Sequence, residues 1–287
     1  MPPPRVTLMS LPADSHVHTQ WSWDAPSGSM QVTCERALEL GMQAIAFTEH
    51  LDHTVFTLAM EELEPGHILV QLAHQGVLTP PAFDAAGYLE EIERCRHQYP
   101  GLHILSGLEI GEPHWHTNAV AEVLAAAEFD RVLGSLHCLP DRDGLAEPPG
   151  LYRHRDPNEV MRTYLAEVAV MVSSPQRFEV LAHIDYPVRT WPRSAVPFDP
   201  LDFEEEFRHA LRATAEAGRA LEVSTRVPLH SHVLRWWHDE GGEAITFGSD
   251  AHEPDWIARD FRDATHLAEA TGFRPRVDPA QFWTRVS

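Results

Sequence analysis

The nine residues Ala244-Ile245-Thr246-Phe247-Gly248-Ser249-Asp250-Ala251-His252 set how the rest of the chain is read. A β-leaning, mostly apolar run reaches a glycine, and an aspartate and a histidine follow within four residues. Ionisable groups just past a strand end are what a barrel active site requires. Similar strand-like runs occur upstream at residues 6–11, 44–48, 103–108, 131–135, 178–182 and 219–223. Segments 30–40, 86–97, 118–127, 157–172, 201–217 and 231–239 carry helical spacing. Strand and helix alternating throughout predicts an α/β fold of βα units around a parallel sheet. Seven such units without a linker predict one closed barrel domain over residues 1–287. The connections 51–84 and 138–156 exceed the usual few residues and are expected to lie as loops over the barrel mouth. The tail 271–287, with Phe273, Phe282 and Trp283, is expected to dock on the barrel.

Composition narrows the chemistry. A chain of 287 residues with 43% hydrophobic and 23% charged residues has the make-up of a packed globular protein. Its 22 basic residues are all arginine, against 43 acidic ones, for a net charge of −21. Without lysine there is no Schiff base, no P-loop lysine and no carboxylated-lysine metal bridge. So acidic a surface repels phosphate backbones, so long nucleic acid is not an expected partner. Cys34, Cys95 and Cys138 are isolated and odd in number, which suggests neither a disulfide framework nor a thiolate zinc site and fits a reducing cytoplasm. No signal-like segment or membrane-length apolar run is present, so a soluble, cytoplasmic protein without a membrane partner is expected.

Histidine is the outlier, at 19 residues, and its placement carries the meaning. After the first run come Asp14, His16 and His18, with Asp24 six residues further on. The second ends in Glu49-His50, the third closes on Gly107-Leu108-Glu109, and the fourth leads to Gly134-Ser135-Leu136-His137. The fifth gives His183-Ile184-Asp185, and the seventh gives Asp250 and His252. Imidazole and carboxylate together suit zinc, iron or manganese, and a shared carboxylate can hold two cations close together. Alternate residues of an extended segment face one side, so His16 and His18 can reach one cation. The candidate ligands are therefore His16, His18, Asp24, His50, Glu109, His137, His183, Asp250 and His252, enough for three divalent metal ions with one carboxylate shared.

This ordered set resembles the polymerase and histidinol phosphatase (PHP) family, over roughly residues 14–253. Asp24 and the run Gly107-Leu108-Glu109-Ile110-Gly111-Glu112 make it most like the stand-alone histidinol-phosphate phosphatases. The resemblance implies a distorted (β/α)7 barrel with a trinuclear metal site at the C-terminal strand ends. It assigns His16, His18, Glu109 and Asp250 to the first metal, Asp24, His50 and His252 to the second, and Glu109, His137 and His183 to the third. Asp14, Glu49 and Asp185 are read as groups that orient ligand imidazoles. Glu49 stands where many relatives carry Asp.

The activity this implies is hydrolysis of a small phosphomonoester, histidinol phosphate first, in histidine biosynthesis. A metal-bound hydroxide would attack phosphorus, with Glu109, Asp250 and His252 as the catalytic residues around it. With lysine absent, Arg153, Arg189 and Arg226 are the candidates for gripping phosphate. His114, His116, His230 and His232 are read as rim or surface residues, and Trp21, Trp23, Trp115 and Trp191 as aromatics near the mouth. The alternatives are a broader phosphoesterase acting on nucleotides or other small phosphate esters, and a non-catalytic metal-binding module. An amidohydrolase would usually need a bridging lysine at the fourth strand, where this chain has His137.

Overall fold

Seven parallel strands close on themselves: β1 (Asp14–Val17), β2 (Ala44–Leu51), β3 (His103–Gly111), β4 (Arg131–Ser135), β5 (Val180–Leu181), β6 (Ala220–Ser224) and β7 (Ala244–Gly248). This is a computed structural model, and it describes residues 11–64, 66–142 and 144–286. Neighbours pair in chain order, and β7 returns to β1 through Asp14 opposite Phe247. The β2–β3 ladder is the longest, from Ala44 opposite His103 to Leu51 opposite Ile110. The barrel is distorted: β1 slips register against β2, and β5 keeps only two paired residues on either side.

Three expectations need correction. The strand expected at residues 6–11 lies outside the described residues except for Leu11, and the barrel instead uses β1, so His16 lies within a strand. Asp14 is tolerated in this fully buried strand because its carboxylate accepts the N–H groups of Ser249 at 3.0 Å and Ala258 at 2.8 Å. The fifth run shrinks to Val180–Leu181 because the chain turns at His183, whose φ is 21°. The helix expected over 201–217 starts as a 3-10 turn, Pro200–Phe203, before the α-helix Glu204–Glu216, since Asp199 and Pro200 fix a tight entry.

The outer helices follow the expected spacing. Pro157–Ser173 starts at Asp156, whose carboxylate accepts the Asn158 N–H at 2.9 Å, and Pro157 gives up no useful donor in the first turn. Its buried face is Val160, Met161, Tyr164, Leu165, Val168 and Val172, the stripe of an amphipathic helix set on a sheet. The helix Phe261–Ala270 was not anticipated from the sequence.

The two long connections pair with each other. Val77–Leu78, Phe56–Thr57, Gly144–Ala146 and Leu139–Asp141 form a separate four-stranded sheet in that order. The tail attaches at the other end of the barrel: Trp283–Arg285 pairs antiparallel with the first residues of β7. There the buried Arg131, at the start of β4, lies 4.2 Å from the Phe282 ring centroid and donates to the Ala280 carbonyl at 2.9 Å.

Candidate metal centre and active site

The strand ends bring nine ionisable side chains to one place, and Glu109 is their hub. His50 and Glu109 are paired residues of adjacent parallel strands, so they face the same side. Glu109 Oε2 lies 3.3 Å from His16 Nε2, 3.4 Å from His18 Nε2 and 3.1 Å from His50 Nδ1. Its Oε1 lies 3.2 Å from His137 Nε2 and 2.7 Å from His183 Nε2. Asp250 Oδ1 is 3.3 Å from His18 Nε2 and 3.8 Å from His16 Nε2. On the open side, Asp24 Oδ2 is 3.3 Å from His50 Nε2 and 3.1 Å from His252 Nε2. Three overlapping groups are compact enough for a cation: His16, His18 and Asp250; His16, Glu109 and His183; His18, His50 and His252, each with ligand atoms within 4.8 Å of one another.

Hydrogen bonds behind the rings settle which nitrogens face inward. Ser22 Oγ donates to Glu49 at 2.6 Å and receives the His18 Nδ1 proton at 3.0 Å and the backbone N–H of His50 at 3.0 Å. His16 Nδ1 lies 2.6 Å from Glu222 Oε2. Both Nε2 lone pairs of His16 and His18 therefore point into the cluster, 3.1 Å apart, a contact that suits a shared cation better than two bare imidazoles. Of the three residues expected to orient imidazoles, Glu49 does so only through Ser22. Asp14 binds backbone N–H groups, and Asp185 contacts no ring among the described residues.

The field of the cluster is uneven. Burial pushes the carboxyl of Glu109 up, but the surrounding histidines outweigh it and hold it well below its ordinary value. Asp250 is likewise held well below by Arg189, Arg226 and His16 against its burial. Burial would lower His137, yet the carboxylate of Glu109, helped by Asp52 and Glu112, raises it to about 9. His183, buried and beside the charge of Arg189, falls to about 4. Glu112, His183 and Asp250 all adopt left-handed backbone, with φ of 45°, 21° and 52°.

The cluster opens into a cavity of about 600 Å³. Arg189 lines it, with Nη1 2.5 Å from Asp250 Oδ2 and Nη2 buried without a partner among the described residues. Arg226 lines it too, donating to the Asp250 carbonyl at 2.9 Å. Arg153 does not: at the C-terminal end of the short helix Pro148–Tyr152 it pairs with Glu61 beside a smaller, separate cavity on the four-stranded sheet. Of the four tryptophans singled out, Trp23 reaches the cavity, whereas Trp115 donates to Glu167 and Trp191 packs on Phe198 and Phe203. His114 pairs with Glu167, and His116 bonds the cavity residue Thr54 from behind; neither histidine lines the cavity itself.

Several residues at the site were not among the sequence candidates. Asp52, Glu112 and Glu147 add three carboxylates to the cavity wall, Tyr186 and Trp256 add rings, and Glu222 sits behind His16. Asp52 is packed so close to Gly111 that a Cβ there would lie 2.2 Å from its Oδ1, and its other oxygen accepts the Trp23 indole N–H at 3.0 Å. A charged residue inside an otherwise apolar strand, Glu222 in 220–224, is a pattern that can be found from sequence, since such a group is buried only when partnered.

Comparison with known proteins agrees with this geometry. The PHP domain family model matches residues 14–226. A histidinol-phosphatase of Lactococcus lactis is 25% identical over 274 residues, covering 91% of each chain. A probable histidinol-phosphatase of Deinococcus radiodurans is 28% identical over 272 residues, covering 91% of this chain and 94% of that one. Among solved structures, the histidinol phosphate phosphatase of Lactococcus lactis complexed with zinc, L-histidinol and phosphate superposes with a TM-score of 0.76 at 23% identity, covering 94% of this chain and 98% of that one. A putative histidinol phosphatase from Listeria monocytogenes gives 0.71 at 17% identity, covering 88% and 99%.

Proposed function

The chain belongs to the PHP domain family, and from that premise we propose that it is a metal-dependent phosphomonoesterase whose substrate is histidinol phosphate, acting in histidine biosynthesis. The observation that carries the reading is the convergence of inward-facing imidazole nitrogens and carboxylate oxygens on Glu109 at the mouth of a cavity much larger than phosphate. We assign three divalent cations, zinc, iron or manganese, to this cluster. His16, His18, Glu109 and Asp250 would hold the first, Asp24, His50 and His252 the second, and Glu109, His137 and His183 the third. The mixture of neutral imidazole and carboxylate fits these ions. Bound there, they supply Lewis acidity and a water made nucleophilic near neutral pH.

The chain's own residues do the rest. Arg189, which lines the cavity and whose buried Nη2 has no partner among the described residues, and Arg226 on the rim grip the phosphoryl oxygens, and Arg153 is left out of this role by its position. One curated relative is named histidinol-phosphatase and three are named probable histidinol-phosphatases, and the solved Lactococcus lactis enzyme holds L-histidinol and phosphate. An amino alcohol of that kind carries positive charge, and Asp52, Glu112 and Glu147 form a wall of the same cavity suited to it. Phe56, Leu63, Ile68 and Leu69 from the long connection close the apolar side. Free, buried thiols at Cys34, Cys95 and Cys138 suit a cytoplasmic setting, and no helix among the described residues is long and apolar enough to cross a membrane.

The test is a panel of histidinol phosphate, a nucleoside monophosphate, p-nitrophenyl phosphate, a phosphodiester and an amide, assayed with manganese, zinc and iron. Histidinol phosphate should be hydrolysed with the highest kcat/KM. The Glu147→Gln variant should lose about 10- to 100-fold on it, the worth of one charge-assisted contact, with p-nitrophenyl phosphate unaffected. Preference for the diester or the amide overturns the reading.

A further inference from the structure

We propose that Glu222 is a positioning residue that holds two of the cation-facing histidines from behind, and that Gly248 is glycine in order to leave room for it. The inference rests on the reading of His16 and His183 as ligands given above.

Glu222 lies on β6, the one barrel strand whose end contributes no candidate ligand. Its carboxylate divides between two neighbours. Oε2 accepts the proton of His16 Nδ1 at 2.6 Å, and Oε1 accepts the backbone N–H of His183 at 3.2 Å. The first contact fixes the tautomer of His16: with the proton held on Nδ1, the lone pair of Nε2 points at Glu109 and Asp250. The second pins the left-handed turn at His183, which aims that ring at Glu109, 2.7 Å away. One carboxylate thus links β6 to a histidine on β1 and to another just past β5.

The energetics point the same way. Glu222 and His16 are both fully buried, and Glu222 forms no ion pair with an arginine among the described residues. A buried carboxylate held by one imidazole and one backbone N–H, with no arginine beside it, is expensive, and a cation on the far side of that ring would offset the cost. Gly248 supplies the space. A Cβ there would sit 2.5 Å from Glu222 Oε2 and 2.8 Å from the Cβ of His16, so any side chain would push the pair apart.

The experiment measures metal content and metal affinity, read independently of phosphatase activity. Wild type, Glu222→Gln, Glu222→Ala and Gly248→Ala are loaded with manganese or zinc, dialysed together, and analysed for metal per chain and for chelator competition; circular dichroism and melting confirm the fold. Glu222→Ala should bind the cations served by His16 and His183 about 10- to 100-fold more weakly, while the ion assigned to Asp24, His50 and His252 is retained. Glu222→Gln keeps an acceptor for His16 and should lose less, and kcat should fall more than KM rises. Gly248→Ala should reproduce the loss with the carboxylate intact, which decides the matter if Glu222→Ala does not fold. Wild-type metal number and affinity in both Glu222→Gln and Gly248→Ala would overturn the proposal. A wild-type chain that binds its metals but hydrolyses no phosphate ester would sink the assigned function while leaving these binding results as the measure of Glu222.

Discussion

Replacing Arg189 with Met separates two jobs that one guanidinium performs. Its Nη1 is bound to Asp250 Oδ2 at 2.5 Å, its guanidinium carbon sits 4.9 Å from the Tyr186 ring centroid, and Nη2 has no partner among the described residues. Removing one partner of a buried ion pair costs about 3–5 kcal/mol. A chain of this length melts with an entropy of roughly 0.6 kcal/mol per degree, so the metal-free variant should melt about 5–8 °C lower. Loaded protein should lose less, because the cations take over the neutralisation of Asp250. Catalysis reads the other job. Two charge-assisted hydrogen bonds to phosphate, at about 1.5–3 kcal/mol each, correspond to roughly 10²- to 10⁴-fold in kcat/KM. The assays are kcat/KM on histidinol phosphate, inhibition by inorganic phosphate, and metal per chain. Activity and phosphate inhibition should both weaken with metal content unchanged, and Arg189→Lys should recover only part because it lacks the fork. If metal content falls in step with activity, or phosphate inhibits the variant as well as wild type, Arg189 serves Asp250 alone and its phosphate role is gone.

His137, raised to about 9 by the Glu109 carboxylate against its burial, stabilises the metal-free chain below its ordinary 6.5, and that contribution is lost as the pH climbs through about 9. The same proton must leave before Nε2 can take a cation, so metal affinity by chelator competition should rise about tenfold per pH unit for each proton displaced over that window; a flat profile would contradict it. Trp283 is buried at the far end of the barrel, edge-on to Phe247 with centroids 5.0 Å apart, so Trp283→Ala should cost about 3–5 kcal/mol and lower the melting temperature without changing kcat at 25 °C. Loss of kcat in the folded variant would show that the tail is coupled to the site.

What the sequence makes legible is whatever is local and periodic. Runs 131–135 and 244–248 and helix 231–239 match the observed elements because strand, turn and helix signals agree there. The nine candidate ligands come together because all but Asp24, which sits in the loop after β1, stand at or just past a strand, and a closed parallel barrel brings such ends to one rim. Arg153 misleads because nothing in its neighbourhood states which way the loop turns; its direction comes from pairing between segments far apart in the chain. Glu222, visible as a lone charge in an apolar strand but not in its role, and Asp52 and Glu147, not visible at all, are hidden for the same reason. Their partners, His16, Trp23 and Tyr186, are 206, 29 and 39 residues away, and only the folded barrel makes them neighbours.

The left-handed backbone at Glu112, His183 and Asp250 sets a trap for anyone who engineers this chain toward heat resistance. Glycine at any of the three would relax the main chain by about a kilocalorie per mole. A screen scored on melting of the metal-free polypeptide would therefore reward the very replacements that dismantle the rim, and selection has to be run on the loaded enzyme turning over its ester.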